Sequence, residues 1–178
     1  MKTIRLHDLD FEPYLTAAAI DDRVGELARR IQADYADKDP VMLIVLKGAF
    51  IFAADLVRKL AMPLEIDFVK VSSYEGTASS GQLDEQLRWH IPLANRHVII
   101  VEDIVDKGHT LAYLRREILR EQPASLEVAC LLFKPEAYGY AEEVRYHGFA
   151  IPNAFVVGYG LDYDQLGRHL DTIYKVKG

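Results

Sequence analysis

Apolar positions along the chain fall into a few distinct patterns. Ile20, Val24, Leu27, Ile31 and Tyr35 recur at spacings of four, three, four and four, which is one face of an amphipathic helix. Thr16 stands at the cap position, and Asp21 and Asp22 lie near the start, where carboxylates suit free amides. Asp39-Pro40 ends the pattern. Val41 to Leu46 reads VMLIVL, a short apolar run rich in branched side chains, as expected of a strand buried on both faces. Lys47-Gly48 closes that strand, and Ala49 to Leu60 reads as a helix with Phe52, Leu56 and Leu60 on one side. Glu65 to Val71 is a second strand with partial alternation. His97 to Val101 and Leu126 to Phe133 are further apolar strands, separated by a helix over Thr110 to Arg120 that Pro123 stops. Ala154 to Val157 is a fifth short strand.

Other stretches carry weaker signals. Lys2 to Tyr14 shows little periodicity, and Tyr138 to Phe149 reads as irregular and aromatic. Thr172 to Lys177 alternates weakly, in the manner of an edge strand. Ser72 to Ser80, SSYEGTASS, is rich in hydroxyls and lacks a face to bury, so it reads as a covering loop. Helices recur between buried strands, which predicts an α/β layered fold.

The length of 178 residues fits one domain spanning 1–178. Hydrophobic residues make up 50% and charged residues 27%, which excludes a disordered tail. The apolar runs are far shorter than the roughly 18 residues that cross a bilayer, and MKTIRLHDLD has no apolar signal core. A cytoplasmic protein without a membrane partner is expected. The net charge of −6 disfavours binding to nucleic acid through phosphate neutralisation. The single cysteine, Cys130, rules out an intrachain disulfide and a closed cysteine zinc site. The histidines show no metal-ligand spacing.

The chemistry concentrates in VIIVEDIVDKGHT, Val98 to Thr110. A buried strand delivers Glu102 and Asp103 to its carboxyl end, pointing to opposite faces if the strand continues. Asp106 follows three residues later. Gly108 suits a tight turn, and Thr110 begins a helix whose first amides, with those of the turn, can surround a phosphate. Closely placed carboxylates suit ribose hydroxyls and hydrated magnesium. The run is not a P-loop, because no GxxxxGK[ST] occurs.

Val101 to Thr110 resembles the phosphoribosyl-pyrophosphate signature of type I phosphoribosyltransferases. LKG at Leu46 to Gly48, SSYEG at Ser72 to Gly76, LLFK at Leu131 to Lys134 and FVVGYGLDY at Phe155 to Tyr163 resemble the hypoxanthine-guanine branch, in the family's order. The resemblance implies a mostly parallel central sheet flanked by helices, with a small hood built from N- and C-terminal segments. It implies transfer of a phosphoribosyl group to hypoxanthine, with guanine next, forming IMP or GMP and releasing pyrophosphate. A xanthine-preferring transferase and a nucleotide-sensing regulator on the same fold are the alternatives. A homodimer or homotetramer is implied as well.

By the same resemblance, Glu102 and Asp103 hold the ribose hydroxyls, partly through Mg2+, and Asp106 is the general base facing the purine N7. Asp106, Lys107, Gly108, His109 and Thr110 cradle the 5-phosphate. Lys47, Gly48 and Arg168 serve the pyrophosphate, with an unusual cis peptide often beside Lys47. Lys134 contacts the six-position oxygen of the purine, Phe155 stacks on the base and Val156 offers backbone groups to its edge. Asp162 reaches a second Mg2+, and Ser73 and Tyr74 belong to a mobile lid. Lys107 departs from the family, which usually has a small hydroxyl residue there. The stretches around Trp89 and His90 and over Glu142 to Ile151 also depart from it.

Overall fold

The computed structural model describes residues 2–71 and 89–178. Ser73 and Tyr74, with the rest of the covering loop, lie outside the described residues. In chain order the elements are β1 (Ile4–Leu6), β2 (Leu9–Leu15), α1 (Ala17–Tyr35), β3 (Val41–Leu46), α2 (Phe50–Arg58) and β4 (Glu65–Lys70). They continue with β5 (His97–Val105), α3 (His109–Arg120), β6 (Ser125–Phe133), β7 (Tyr146–Ala150), β8 (Val156–Val157) and β9 (Ile173–Val176).

The helices follow their apolar stripes. Thr16 caps α1, its hydroxyl accepting from the Ala19 amide at 3.1 Å. The side of α1 carrying Ile20, Val24, Leu27, Ile31 and Tyr35 is buried, as its spacing predicts. β3 has the bounds expected from VMLIVL and is buried along almost its whole length.

Five strands form a parallel sheet in the order β4-β3-β5-β6-β7. The three inner strands, β3, β5 and β6, each contribute to two cores. Met42, Ile44, Ile99 and Val101 pack with α1 and α2, whereas Val41, Leu43, Val98 and Ile100 pack with α3. A helix layer therefore covers each face, the arrangement that demands continuously apolar strands. The carboxyl ends of β3 and β5 lie side by side as a result.

A second, antiparallel sheet has the order β1-β2-β9-β8. It corrects three readings. Lys2 to Tyr14 contains a hairpin, whose alternation is masked by Pro13 and a register shift between Pro13 and Leu15. The tail is not an edge strand, because β9 sits between β2 and β8. The strand expected at Ala154 to Val157 is reduced to Val156–Val157 and joins this sheet rather than the parallel one. Within Tyr138 to Phe149, the end is regular: β7 closes the parallel sheet, with Tyr146 fully buried. Among the described residues no helix is long and apolar enough to cross a membrane.

Candidate active site

β5 does not stop at Val101 but runs through Glu102 and Asp103 to Val105. The alternation of its core residues continues into the two acids and sends them to opposite faces. A cleft of about 360 Å³ opens here, lined continuously from Glu102 to Leu111 with Val45 opposite. Glu102 is 6% exposed, and among the described residues no group donates a hydrogen bond to it. Burial and the neighbouring Asp103 charge push its carboxyl well above the usual range. Burial also raises Asp103, to about 6, although the Ile104 amide at 2.8 Å and the Arg168 charge oppose the rise. Such a pair is short of positive charge.

Asp103 lies against the turn after β3. A Cβ on Gly48 would fall 1.6 Å from Asp103 Oδ2, so only glycine allows this approach. The peptide Leu46-Lys47 is cis. The Lys47 amine reaches Gln165 Oε1 at 3.3 Å.

Gly108 precedes α3 with φ of 85°, a left-handed conformation that suits glycine. Among the described residues, no backbone amide from Lys107 to Thr110 donates to another backbone group. Free amides at the mouth of a twelve-residue helix form an anion-binding cradle. Lys107 itself is exposed. Tyr138 and Tyr140 pack against Gly108, and the Tyr140 hydroxyl lies 3.0 Å from His109 Nδ1. Neither tyrosine follows from the motif; their only sequence signal is the aromatic pair flanking Gly139.

Asp106 and Lys134 meet directly. The Lys134 amine donates to Asp106 Oδ2 at 2.7 Å. The Lys134 side chain is almost fully buried, while Asp106 opens to the cleft. Lys134 also reaches Asn153 Oδ1 at 3.5 Å. Asn153 lies in a turn of ordinary composition, so sequence reasoning missed it.

Phe155 is 42% exposed, with Phe11 and Tyr163 packed against its ring at 6.0 and 5.5 Å. Val156 is buried, paired with Lys175. Asp162 has both oxygens engaged: Oδ1 pairs with Arg168 at 2.7 Å and Oδ2 accepts from the Gln165 amide at 2.8 Å. Arg168 also donates to the Gly160 carbonyl at 2.8 Å. The structure thus brings Asp103, Gly48, Asp162 and Arg168 to one end of the site and Asp106, Lys134 and Asn153 to the other.

Residues 12–164 match the family model of the phosphoribosyl transferase domain. A hypoxanthine-guanine phosphoribosyltransferase of Mycobacterium avium is 45% identical over 166 residues, covering 89% of this chain and 82% of the relative. The chain belongs to the hypoxanthine-guanine phosphoribosyltransferase family. A hypoxanthine phosphoribosyltransferase of Salmonella typhimurium is 40% identical, covering 93% of this chain and 94% of that one. Among solved structures, a Bacillus anthracis hypoxanthine-guanine phosphoribosyltransferase superposes with a TM-score of 0.85 at 35% identity, over 94% of this chain and 97% of the other. The type I fold expected from the motifs is therefore the fold observed, with its parallel sheet flanked by helices.

Proposed function

We propose that this enzyme transfers the 5-phosphoribosyl group of phosphoribosyl pyrophosphate to hypoxanthine, and to guanine, forming IMP or GMP and releasing pyrophosphate. The observation that carries this reading is the Lys134–Asp106 pair beside the unpaired amides of the phosphate turn. A purine set edge-on against this pair meets a donor for its six-position oxygen and an acceptor for its N7 proton. An amine donor favours a six-oxo purine over adenine, whose amino group is itself a donor.

The roles of the other residues belong to the same proposal. The amides from Lys107 to Thr110 hold the 5-phosphate, and Glu102 and Asp103 hold the ribose hydroxyls. Lys47, the Gly48 backbone and Arg168 hold the diphosphate. Phe155 stacks on the base, Val156 meets its edge, and the small antiparallel sheet forms the hood above it. As the C1–oxygen bond breaks, Lys47 and Arg168 stabilise charge growing on the diphosphate. A purine nitrogen forms the new bond to C1, and Asp106 takes up the N7 proton.

Magnesium fits the Glu102–Asp103 end, where two raised carboxylates need a cation and one of them receives no donor among the described residues. Bound there, it would supply positive charge to the ribose oxygens and the departing diphosphate. An ion there would be held by these one or two carboxylates together with substrate oxygens. Asp162 fits less well, because Arg168 already occupies it. Assembly as a homodimer or homotetramer is carried forward on the exposed Ile66 and Phe68 of edge strand β4.

The test is pyrophosphate release with hypoxanthine, guanine, xanthine and adenine, with and without magnesium. Asp106→Asn is expected to lower kcat about a hundredfold or more while donor binding changes little. Turnover of no base, or equal kcat in the variant, would overturn the reading.

A further inference from the structure

Tyr159 lies outside the cleft lining yet holds an unusual backbone conformation. Its φ is 50°, in the left-handed region that a bulky aromatic residue seldom enters. The side chain is buried, and its hydroxyl donates to Asp55 Oδ2 of α2 at 2.6 Å. The second Asp55 oxygen lies 3.7 Å from Arg58 at the surface.

This bond joins the two walls assigned to the diphosphate. On one side, α2 begins two residues after Gly48 and carries Asp55. On the other, the loop after Tyr159 carries Asp162 and Arg168. The Gly160 amide donates to the Arg168 carbonyl at 2.9 Å, and the Arg168 side chain returns to the Gly160 carbonyl. A Cβ on Gly160 would fall 2.1 Å from the Gly48 carbonyl oxygen. The backbones of the two walls are thus in direct contact, with Asp103 against the far side of Gly48.

We infer that Tyr159 and Asp55 are a positioning pair, whose hydrogen bond fixes the Asp162–Arg168 loop against the Lys47–Gly48 turn and so preorganises the diphosphate site. The inference rests on the assignment of Lys47, Gly48 and Arg168 to the diphosphate. Among the described residues, neither side chain hydrogen-bonds to the purine end or the phosphate turn, so the effect is expected in the diphosphate half of the donor.

The experiment compares Tyr159→Phe, Asp55→Ala and Asp55→Asn with Arg168→Gln as a reference. KM for phosphoribosyl pyrophosphate, KM for hypoxanthine and product inhibition by pyrophosphate are measured, with thermal denaturation alongside. Tyr159→Phe and Asp55→Ala should raise the donor KM and weaken pyrophosphate inhibition about fivefold or more, as one lost hydrogen bond to a charged acceptor allows. The hypoxanthine KM should move by less than about twofold, and Asp55→Asn, which still accepts from the phenol, should recover most of the loss. A lowered melting temperature with unchanged donor KM and pyrophosphate inhibition would make the bond merely structural and overturn the inference. So would equal rises in both KM values. Asp55→Ala keeps the Tyr159 ring in place and tests the same bond if Tyr159→Phe folds poorly. If Arg168→Gln leaves donor KM and pyrophosphate inhibition unmoved, the diphosphate assignment fails rather than the pair alone.

Discussion

Asp67 on β4 and Glu102 on β5 are acids of almost equal exposure, 7% and 6%, on strands separated only by β3. Their surroundings are opposite. Burial pushes Asp67 upward, but the backbone amides of Ile91, His90 and Phe68 outweigh it and leave the carboxyl below its usual range. Glu102 has no such donors among the described residues, and burial together with the second acid beside it holds its carboxyl well above the usual range. Depth alone therefore says nothing about role. A buried carboxylate whose oxygens are fully served by backbone is part of the scaffold. One left short of donors beside an open cleft is waiting for a ligand.

The sharpest way to break this contrast is to remove the hungry pair. Glu102→Gln with Asp103→Asn should lower kcat/KM for the donor about a hundredfold or more, since several kcal/mol of cation-assisted stabilisation disappear. The same double variant should melt at a higher temperature than its parent when no ligand is bound. An unchanged kcat/KM, measured at several magnesium concentrations, would remove the pair from the site.

At Asp67 the outcome should reverse. Asp67→Ala strands the amides of His90 and Ile91 and should destabilise the fold by about 3 kcal/mol, read by denaturant titration. With enough folded protein for assay, kcat should stay within about threefold of the parent, because the loss is one of stability rather than transition-state binding. A large fall in kcat at full folding would show that the two acids are not so different.

A gentler probe is pH. Asp103 titrates near 6 in the folded chain against an ordinary 3.8. Between about pH 4 and 6 the folded chain therefore holds a proton that the unfolded chain has released, so this acid makes stability fall as pH rises through that window. Glu102 acts in the same direction. Asp67, being lowered, contributes stability above its ordinary 3.8 that is lost as pH falls below it. Thermal denaturation of the ligand-free protein from pH 4 to 7 should show the first slope, and Asp103→Asn should flatten it. A slope identical in parent and variant would remove Asp103 as its source.

Much of this was written locally in the chain. VMLIVL and HVIIV are long enough and apolar enough to declare buried strands, and the Ile20 to Tyr35 spacing fixes α1. The acids of β5 and the Gly108 turn were legible because their chemistry is sequential. The pairing of Tyr159 with Asp55 was not, since neither residue is unusual until the fold brings them together. Asn153 beside Lys134 is hidden for the same reason. The β1–β2 hairpin was missed because Pro13 interrupts a short alternation whose partner strand lies at the other end of the chain.

That last pairing carries a consequence for synthesis and assembly. Phe11 is matched with Val176, and β9 is the strand that holds β2 and β8 together. The five strands of the parallel sheet all lie between Val41 and Ala150, whereas the sheet bearing Val156 joins β1 and β2 to β8 and β9. Contacts so far apart in sequence form slowly. A ribosome-bound chain would thus hold the Gly108 turn and the Lys134–Asp106 pair well before Phe155 and Val156 had a completed sheet around them.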